Sequence, residues 1–83
     1  MIKMFDMVRF GKYILTLRKE QDLTQSDLAD QLSITRQAVS KWEQGKSFPD
    51  VTLLPKLAHI LDSSITELLI SGNYFEDTRR RSS

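Results

Sequence analysis

Residues 24–45 read TQSDLADQLSITRQAVSKWEQG and carry two helix-start patterns. Thr24 opens the first pattern, because the hydroxyl of an N-cap residue accepts a hydrogen bond from the backbone N–H three residues later. The residue at that position is Asp27, whose negative charge suits the positive end of a helix. Thr35 opens the second, and Gly45 is a typical C-terminal stop. The apolar side chains on one side of the two segments are Leu28, Ala29, Leu32, Val39 and Trp42. The stretch therefore predicts two consecutive amphipathic helices.

The connection between these two predicted helices is very short. It comprises about three residues, Ser33, Ile34 and Thr35, and a connection of that length forces a sharp bend, so that the helices cross at a steep angle. We expect Ile34 to fill the turn, while the small side chain of Ala29 lets the helices approach closely. Together these features predict a helix-turn-helix motif over residues 25–44.

The outward face of the second helix of this motif is polar. At about 100° per residue it lies opposite Val39 and Trp42, which indicates that these two pack in the core. The face comprises Arg36, Gln37, Ser40, Lys41 and Gln44. In the major groove of DNA, Gln pairs with adenine, and Arg or Lys pairs with guanine, so this face has the side chains that base reading requires. The alternative is an ordinary solvated helix face.

Shorter signals outside the motif predict three further helices. Apolar residues recur at helical spacing from Phe10 and indicate a first helix over about residues 10–21. In the fourth helix Pro55 leaves two possibilities: either the regular helix begins at Pro55, or its first turn from Val51 is irregular. Residues 64–67 form a capping-box pattern for a fifth helix. Since no segment gives a convincing strand pattern, we expect an all-α fold of five short helices.

The composition restricts the chain to one small domain with few options for catalytic chemistry. Its 83 residues leave no room for a second core. It has no cysteine and one histidine, His59, and nothing around His59 resembles a nucleophile elbow. We therefore expect no metal site, no cofactor and no enzymatic activity. Because the apolar runs are four residues or fewer, we expect no membrane span and a cytoplasmic protein.

The charge balance does not by itself indicate a nucleic-acid binder. The chain has 12 Lys and Arg against 11 Asp and Glu, a net charge of +1. Three of the basic residues form the run Arg79-Arg80-Arg81, so the first 78 residues carry −2. Nucleic-acid-binding domains usually show a basic surplus. The terminal run either contacts phosphates or is an ordinary disordered end, and the case for DNA binding rests on where the other charges lie.

Five separated segments closely resemble the phage-repressor-like (Cro/cI-type, also called XRE) helix-turn-helix family. They are residues 23–29, 34–46, 49–50, 57–58 and 64–68. The resemblance covers about residues 10–70 and implies a compact five-helix, lambda-repressor-like domain that binds DNA, usually as a dimer. Residues 1–9 are expected to be an N-terminal extension, of which residues 1–8 add little to the domain. Residues 71–83 are a tail or linker, which we expect to be ordered only if a partner holds it.

The resemblance also implies roles for individual residues. Gln25, at the start of the second helix, resembles the family's phosphate-contacting glutamine. By motif position, the residues that resemble base readers are Arg36, Gln37 and Lys41, with Ser40 as a helper. Lys46 is expected near phosphates after the recognition helix, together with Ser47 or Gln44. The complete predicted DNA-binding set is Gln25, Thr35, Arg36, Gln37, Ser40, Lys41, Gln44, Lys46 and Ser47.

Two further positions carry structural expectations from the same resemblance. Arg18 and Glu43 match a pair that forms a partly buried salt bridge between the first and third helices of relatives. Removing one partner would leave the other charge stranded, at a cost of several kcal/mol. The turn position at Ser33 is commonly glycine in this family, because the backbone there adopts a positive φ. A residue with a Cβ costs roughly 1 kcal/mol at such a position.

The resemblance implies a sequence-specific transcriptional regulator, and specifically a repressor that binds a near-palindromic operator as a homodimer. A candidate dimer contact consists of Ile65, Leu69, Ile70, Tyr74 and Phe75. Tyr74 and Phe75 could instead belong to a loose tail. Two other functions remain open: an antitoxin or partner-binding module that grips a protein through this C-terminal tail, and the DNA-binding part of a longer regulator.

Overall fold

Five α-helices follow one another in the computed structural model, which describes residues 4–74 and the side chains of residues 5–72. The helices are α1 (Met7–Glu20), α2 (Gln25–Leu32), α3 (Arg36–Glu43), α4 (Leu54–Ile60) and α5 (Ile65–Gly72). A 3₁₀ turn, Val51–Leu53, leads into α4, and two-residue strands β1 (Met4–Phe5) and β2 (Asn73–Tyr74) flank the helices. The expected all-α, five-helix class is confirmed.

Side-chain caps fix where the helices of the motif begin. The Thr24 hydroxyl accepts a hydrogen bond from the Asp27 backbone N–H at 2.9 Å, and the Asp27 carboxylate accepts one from the Thr24 backbone N–H at 2.9 Å. These hydrogen bonds to Thr24 lower the pKa of Asp27 below its usual value. The Thr35 hydroxyl likewise accepts from the backbone N–H of Ala38 at 3.2 Å. Both capping residues are those that the sequence indicated.

The turn between α2 and α3 contains a residue in the left-handed conformation. Ser33 has φ 58° and ψ 41°, so the positive φ that the sequence led us to expect at this position is confirmed. The Ile34 N–H donates to the Ala29 carbonyl at 3.0 Å and closes the end of α2. A Cβ in this conformation costs roughly 1 kcal/mol, and the sharp bend between the two helices therefore carries some backbone strain.

The helices enclose one apolar core. Its buried members are Phe10, Ile14, Leu28, Ala29, Leu32, Val39, Trp42, Leu54, Leu57, Ala58, Leu61 and Leu68. Trp42 is 3% exposed, which confirms that it packs in the core and does not stack on bases. Gly11 lets α1 lie directly on the end of α3, because a Cβ at this position would overlap the carbonyl oxygen of Trp42. Close packing of α1 therefore fixes the position of α3.

The N-terminal segment is more structured than the sequence suggested. The first helix begins at Met7 instead of residue 10, and Asp6 caps it by accepting hydrogen bonds from two backbone N–H groups of its first turn. Strands β1 and β2 pair in antiparallel register, Met4 with Tyr74 and Phe5 with Asn73. Local sequence patterns do not reveal this strand pair, because its contacts join residues about 70 positions apart.

Two other expectations at helix ends can be compared with the structure. The start of α4 follows the second possibility, since its first turn from Val51 is 3₁₀ and the regular helix begins at Leu54. Residues 71–74, expected in the tail, complete α5 and form β2. Phe75 and the arginine run 79–81 lie outside the described residues. Within the described part of the chain, no helix is long and apolar enough to cross a membrane.

Candidate nucleic-acid interface

Helix α3 presents its polar face on the side away from the core. Val39 and Trp42 are buried, while the side chains of Arg36, Gln37 and Lys41 are exposed. Together with neighbouring residues they line one shallow depression of about 210 Å³. Its lining consists of Arg36, Gln37, Ser40, Lys41, Gln44 and Lys46. None of these six side chains is acidic or apolar. The depression is therefore lined by hydrogen-bond donors and positive charge, which come from α3 and the loop that follows it.

The end of α3 places Lys46 beside this depression. Gly45 adopts φ 76° directly after the helix, and the Lys46 N–H donates to the Lys41 carbonyl at 2.9 Å. Within the depression, the Gln44 side-chain amide donates to the Ser40 hydroxyl at 2.8 Å. Ser47 follows Lys46 and is half-buried. The structure therefore brings four predicted α3 side chains, the C-cap residue Gln44 and Lys46 together, with Ser47 adjacent in the chain.

The N-terminal ends of α2 and α3 hold the remaining two predicted residues. Gln25 is the first residue of α2 and is half-buried, and Thr35 immediately precedes α3. The Thr35 oxygen caps α3 by accepting the N–H of Ala38, which leaves its O–H to donate to an outside acceptor. Backbone N–H groups at helix starts carry a partial positive charge, so both residues lie in a locally positive environment.

A nearly buried ion pair lies beneath this surface. The Arg18 Nε atom is 2.6 Å from Oε2 of Glu43, and Nη2 of the same guanidinium donates to Oε1 of Glu43 at 3.1 Å. The third donor, Nη1, reaches the Leu23 carbonyl at 2.8 Å. The two side chains are 10% and 5% exposed. This bidentate pair therefore ties α1 to the end of α3 and to the loop before α2.

Gln25 connects this ion pair to the polar face of α3. Its Nε2 donates to Glu43 Oε1 at 2.9 Å, and its Oε1 accepts from Arg36 Nη1 at 3.3 Å. The sequence indicated the Arg18–Glu43 pair and a role for Gln25 separately, but it did not reveal that the two are joined. Gln25 and Glu43 are 18 residues apart, so no local spacing signals the contact. The network holds Gln25 and Arg36 in defined orientations before any ligand arrives.

The candidate dimer residues on α5 lie at the surface. Ile65, Leu69 and Ile70 are 39%, 38% and 56% exposed. Ile65 and Leu69 are four residues apart and therefore share one side of the helix. The backbone of Tyr74 continues from this helix in β2, whereas Phe75 is outside the described residues. The core covers none of these three side chains fully, and at about 100° per residue Ile70 points to a different side of α5 from Ile65.

The histidine and the carboxylates do not form a metal-binding constellation in the described part of the chain. His59 is exposed on α4, and no three His, Asp or Glu side chains among residues 5–72 lie close enough together to hold a metal ion.

Comparison with known proteins agrees with this architecture. A family model described as helix-turn-helix matches residues 14–68. The transcriptional activator BcrR of Enterococcus faecalis is 39% identical over 62 residues, which are 75% of this chain and 30% of BcrR. The chain spans between 30% and 59% of the length of the three curated relatives that it matches.

Two solved structures have the same fold at appreciable sequence identity. The restriction-modification controller protein C.AhdI from Aeromonas hydrophila is 33% identical with a TM-score of 0.70, covering 76% of this chain and 96% of C.AhdI. The biofilm regulator SinR, solved in complex with DNA, is 30% identical with a TM-score of 0.66, covering 72% of this chain and 97% of that one. The chain therefore belongs to the helix-turn-helix family that the sequence resemblance indicated, the phage-repressor-like XRE family of DNA-binding domains.

Proposed function

We propose that this protein is a sequence-specific, DNA-binding regulator of transcription that reads bases through the outward face of α3. The observation that carries this proposal is the depression lined by Arg36, Gln37, Ser40, Lys41, Gln44 and Lys46. This depression combines long hydrogen-bonding side chains with positive charge and contains no carboxylate. The opposite side of α3 is fixed in the core. An α-helix of this kind fits the major groove of B-DNA.

The proposed interface divides into base contacts and phosphate contacts. Arg36, Gln37 and Lys41 extend from α3 toward base edges, where the Gln amide pairs with adenine and the two cations pair with guanine. Ser40 and Gln44 hydrogen-bond to each other and form the edge of this surface. Phosphate contacts set the register on the duplex, and they come from Gln25, Thr35, Lys46 and Ser47.

The protein is proposed to bind as a homodimer on a near-palindromic operator and to act as a repressor. The exposed apolar side chains of Ile65, Leu69 and Ile70 support a dimer contact through α5, extended by Tyr74 and Phe75. Two recognition helices about 34 Å apart then enter successive major grooves on one side of the duplex and block polymerase. A regulator of this kind acts in the cytoplasm, on the nucleoid.

Specific observations keep alternative functions open. Because the chain spans between 30% and 59% of the length of its curated relatives, it could be the DNA-binding part of a longer regulator. The similarity to the activator BcrR supports activation as an alternative direction of control. A partner-binding module or antitoxin would use the C-terminal tail, and co-purification of a second protein would favour it.

A non-catalytic protein is part of the same proposal. The matching curated relatives carry the names of transcriptional regulators. The one histidine is exposed on α4, away from the proposed DNA-binding face. DNA binding needs no metal or cofactor in this scheme.

The test is a selection of genomic DNA fragments by the purified chain at physiological salt, followed by sequencing of the bound fraction. The proposal expects enrichment of a palindrome whose half-sites are about one helical turn apart. A single enriched half-site would support specific recognition by a monomer and contradict the dimer. Binding that depends on salt but enriches no sequence would contradict specific recognition by this chain.

A further inference from the structure

Three phenylalanine rings connect the N-terminal strand β1 to the loop that follows α3. The ring of Phe48 lies 4.6 Å from that of Phe10 and 5.0 Å from that of Phe5, where the contact is edge-on at 87°. Phe5 and Phe10 are 5.8 Å apart. Phe10 is fully buried in α1, so it forms the fixed base of this cluster, and Phe5 covers Phe48 from the N-terminal strand.

Phe5 is held in place from its other side. Its ring lies against Gly72, where a Cβ would overlap the ring tip. Its backbone pairs with Asn73 in the β1–β2 ladder, and the next residue, Asp6, donates its N–H to the Gly72 carbonyl. The ring therefore has little freedom to move away from Phe48, because the end of α5 confines it.

Phe48 in turn fixes the loop that carries the proposed phosphate contacts. Ser47 precedes it directly, and Lys46 lies two residues before it. On the other side of Lys46, Gly45 packs against Val8 in the first turn of α1, where a Cβ on the glycine would lie 2.7 Å from the valine Cγ2. The short segment between Gly45 and Phe48 is thus anchored at both ends, and the N-terminal region supplies contacts to both anchors.

We propose that Phe5 is a positioning residue for DNA binding: by packing on Phe48 it holds Lys46 and Ser47 where they meet phosphates, without touching DNA itself. This inference rests on the proposed function, in which Lys46 and Ser47 contact phosphates. A loop that is already ordered loses less conformational entropy on binding, so releasing it weakens affinity. Because Phe5 is 38% exposed at the edge of the core, its removal frees the loop before it unfolds the helices.

The inference predicts a specific change in the salt dependence of DNA binding by the full chain. Phe5→Ala weakens binding to the selected operator and to an unrelated duplex by similar factors, between about threefold and tenfold, the net value of one ordinary hydrogen bond. The slope of log K against log salt falls by up to about 0.9, as expected for one lost phosphate contact. The ratio of specific to non-specific affinity stays unchanged, since the base-reading side chains remain in place.

A double-mutant cycle with Lys46→Gln separates positioning from general damage. If Phe5 acts through this loop, Phe5→Ala causes no further fall in the salt slope once Lys46 is replaced, and only the smaller loss of affinity that comes from Ser47. Phe5→Leu keeps an apolar contact with Phe48 and therefore retains most of the wild-type affinity that Phe5→Ala loses. It also serves as the folded variant if Phe5→Ala does not fold. The stability control is Ile60→Ala, a half-buried position at the end of α4, which lowers thermal stability and leaves the salt slope unchanged.

The possible outcomes distinguish this inference from the function on which it rests. If Lys46→Gln keeps the wild-type affinity and slope, the phosphate role of Lys46 is wrong and the positioning role is overturned with it. Two results would show that the positioning role alone is wrong. In the first, Lys46→Gln lowers the salt slope but the effects of the two substitutions simply add. In the second, Phe5→Ala leaves the slope unchanged although the variant is folded. A reduced slope that Lys46→Gln masks and Phe5→Leu restores supports the positioning role.

Discussion

Glu43 links structural stability to the recognition face at the level of a single side chain. It accepts two hydrogen bonds from Arg18 and one from Gln25, which in turn accepts one from Arg36. The carboxylate therefore neutralises a nearly buried guanidinium and also orients two side chains proposed to meet DNA. Since both roles use the same oxygen atoms, a change at Glu43 affects stability and DNA binding together.

Replacement of Glu43 tests the ion pair directly. Glu43→Gln leaves the Arg18 charge nearly buried without its counter-charge, and we expect the free energy of unfolding to fall by about 3–5 kcal/mol. Urea denaturation followed by circular dichroism measures this change. The matched control is Glu20→Gln at the exposed end of α1, which should change stability by less than about 0.5 kcal/mol. Equal effects at the two positions would show that the ion pair is not structurally important.

Ser33 offers a substitution that should stabilise the protein. Ser33→Gly removes the Cβ that is strained at φ 58°. The gain of about 1 kcal/mol is partly offset by the extra freedom of glycine in the unfolded chain, which leaves about 0.5 kcal/mol. The control is Gln31→Gly, in the last turn of α2 with ordinary helical geometry, which should destabilise by up to about 1 kcal/mol. Thermal melting compares the two, and a lower melting temperature for Ser33→Gly would contradict the strain argument.

At the scale of the elements, the helix ends that have local caps are those that the sequence predicted well. The α2 start is the clearest case, since the Thr24–Asp27 capping box is visible in four consecutive residues. The start of α1 is an exception, because Asp6 caps it locally although the apolar spacing pointed to a start at Phe10, and the β1–β2 pair has no local signal. That pair depends on Phe5 packing against Gly72 and on strands that meet across the whole length of the fold. For the same reason the outward face of α3 could be read from its 100° spacing, whereas the Gln25–Glu43 hydrogen bond could not.

The capping box of α2 predicts a dependence of stability on pH. The Asp27 pKa is lowered in the folded protein from its usual value of 3.8 by hydrogen bonds to Thr24. A lowered folded-state pKa stabilises the fold above the unfolded pKa, and this contribution disappears as the pH falls through the folded pKa. The stability advantage of the wild type over Asp27→Asn should therefore be full at neutral pH and decline only below pH 4.

Chemical denaturation at a series of pH values between 2 and 7 measures this difference. Thr24→Ala provides the companion variant, since it removes the hydroxyl that completes the box, and the advantage of Asp27 over Asn should shrink in that background. A constant difference between wild type and Asp27→Asn across the whole pH range would contradict the assigned role of the carboxylate.

At the scale of the whole molecule, the positions of the charged residues matter more than the net charge. A net charge of +1 gives little general attraction to DNA, so in the proposed function the depression on α3 and the proposed phosphate contacts beside it supply the affinity. Under the proposed function, specific binding depends on placing two such surfaces at once, which makes the proposed dimer contact on α5 important. Avidity from two linked sites raises affinity without new contacts to either half-site.

The proposed dimer can be tested without disturbing the core. Leu69→Glu puts a charge into the exposed apolar surface of α5, and we expect this variant to sediment as a monomer. The monomer should bind an isolated half-site with normal affinity. It should bind the full palindrome with at least about tenfold lower affinity than the wild type. The control is His59→Glu, which puts the same charge on the exposed side of α4 and should leave the dimer intact. An unchanged sedimentation coefficient for Leu69→Glu, or equal loss in both variants, would exclude this surface as the dimer contact.

The most direct test of the central claim is the base preference of a single α3 side chain. The affinities of the wild type and Gln37→Ala are measured for the selected operator and for every single base-pair substitution within one half-site. If α3 reads bases, Gln37→Ala loses about 1–3 kcal/mol on the preferred site and its discrimination disappears at one base-pair position. The exposed Gln31→Ala on α2 should leave both unchanged. Equal weakening by Gln37→Ala on every sequence, with the base preferences intact, would contradict the claim that α3 reads the operator.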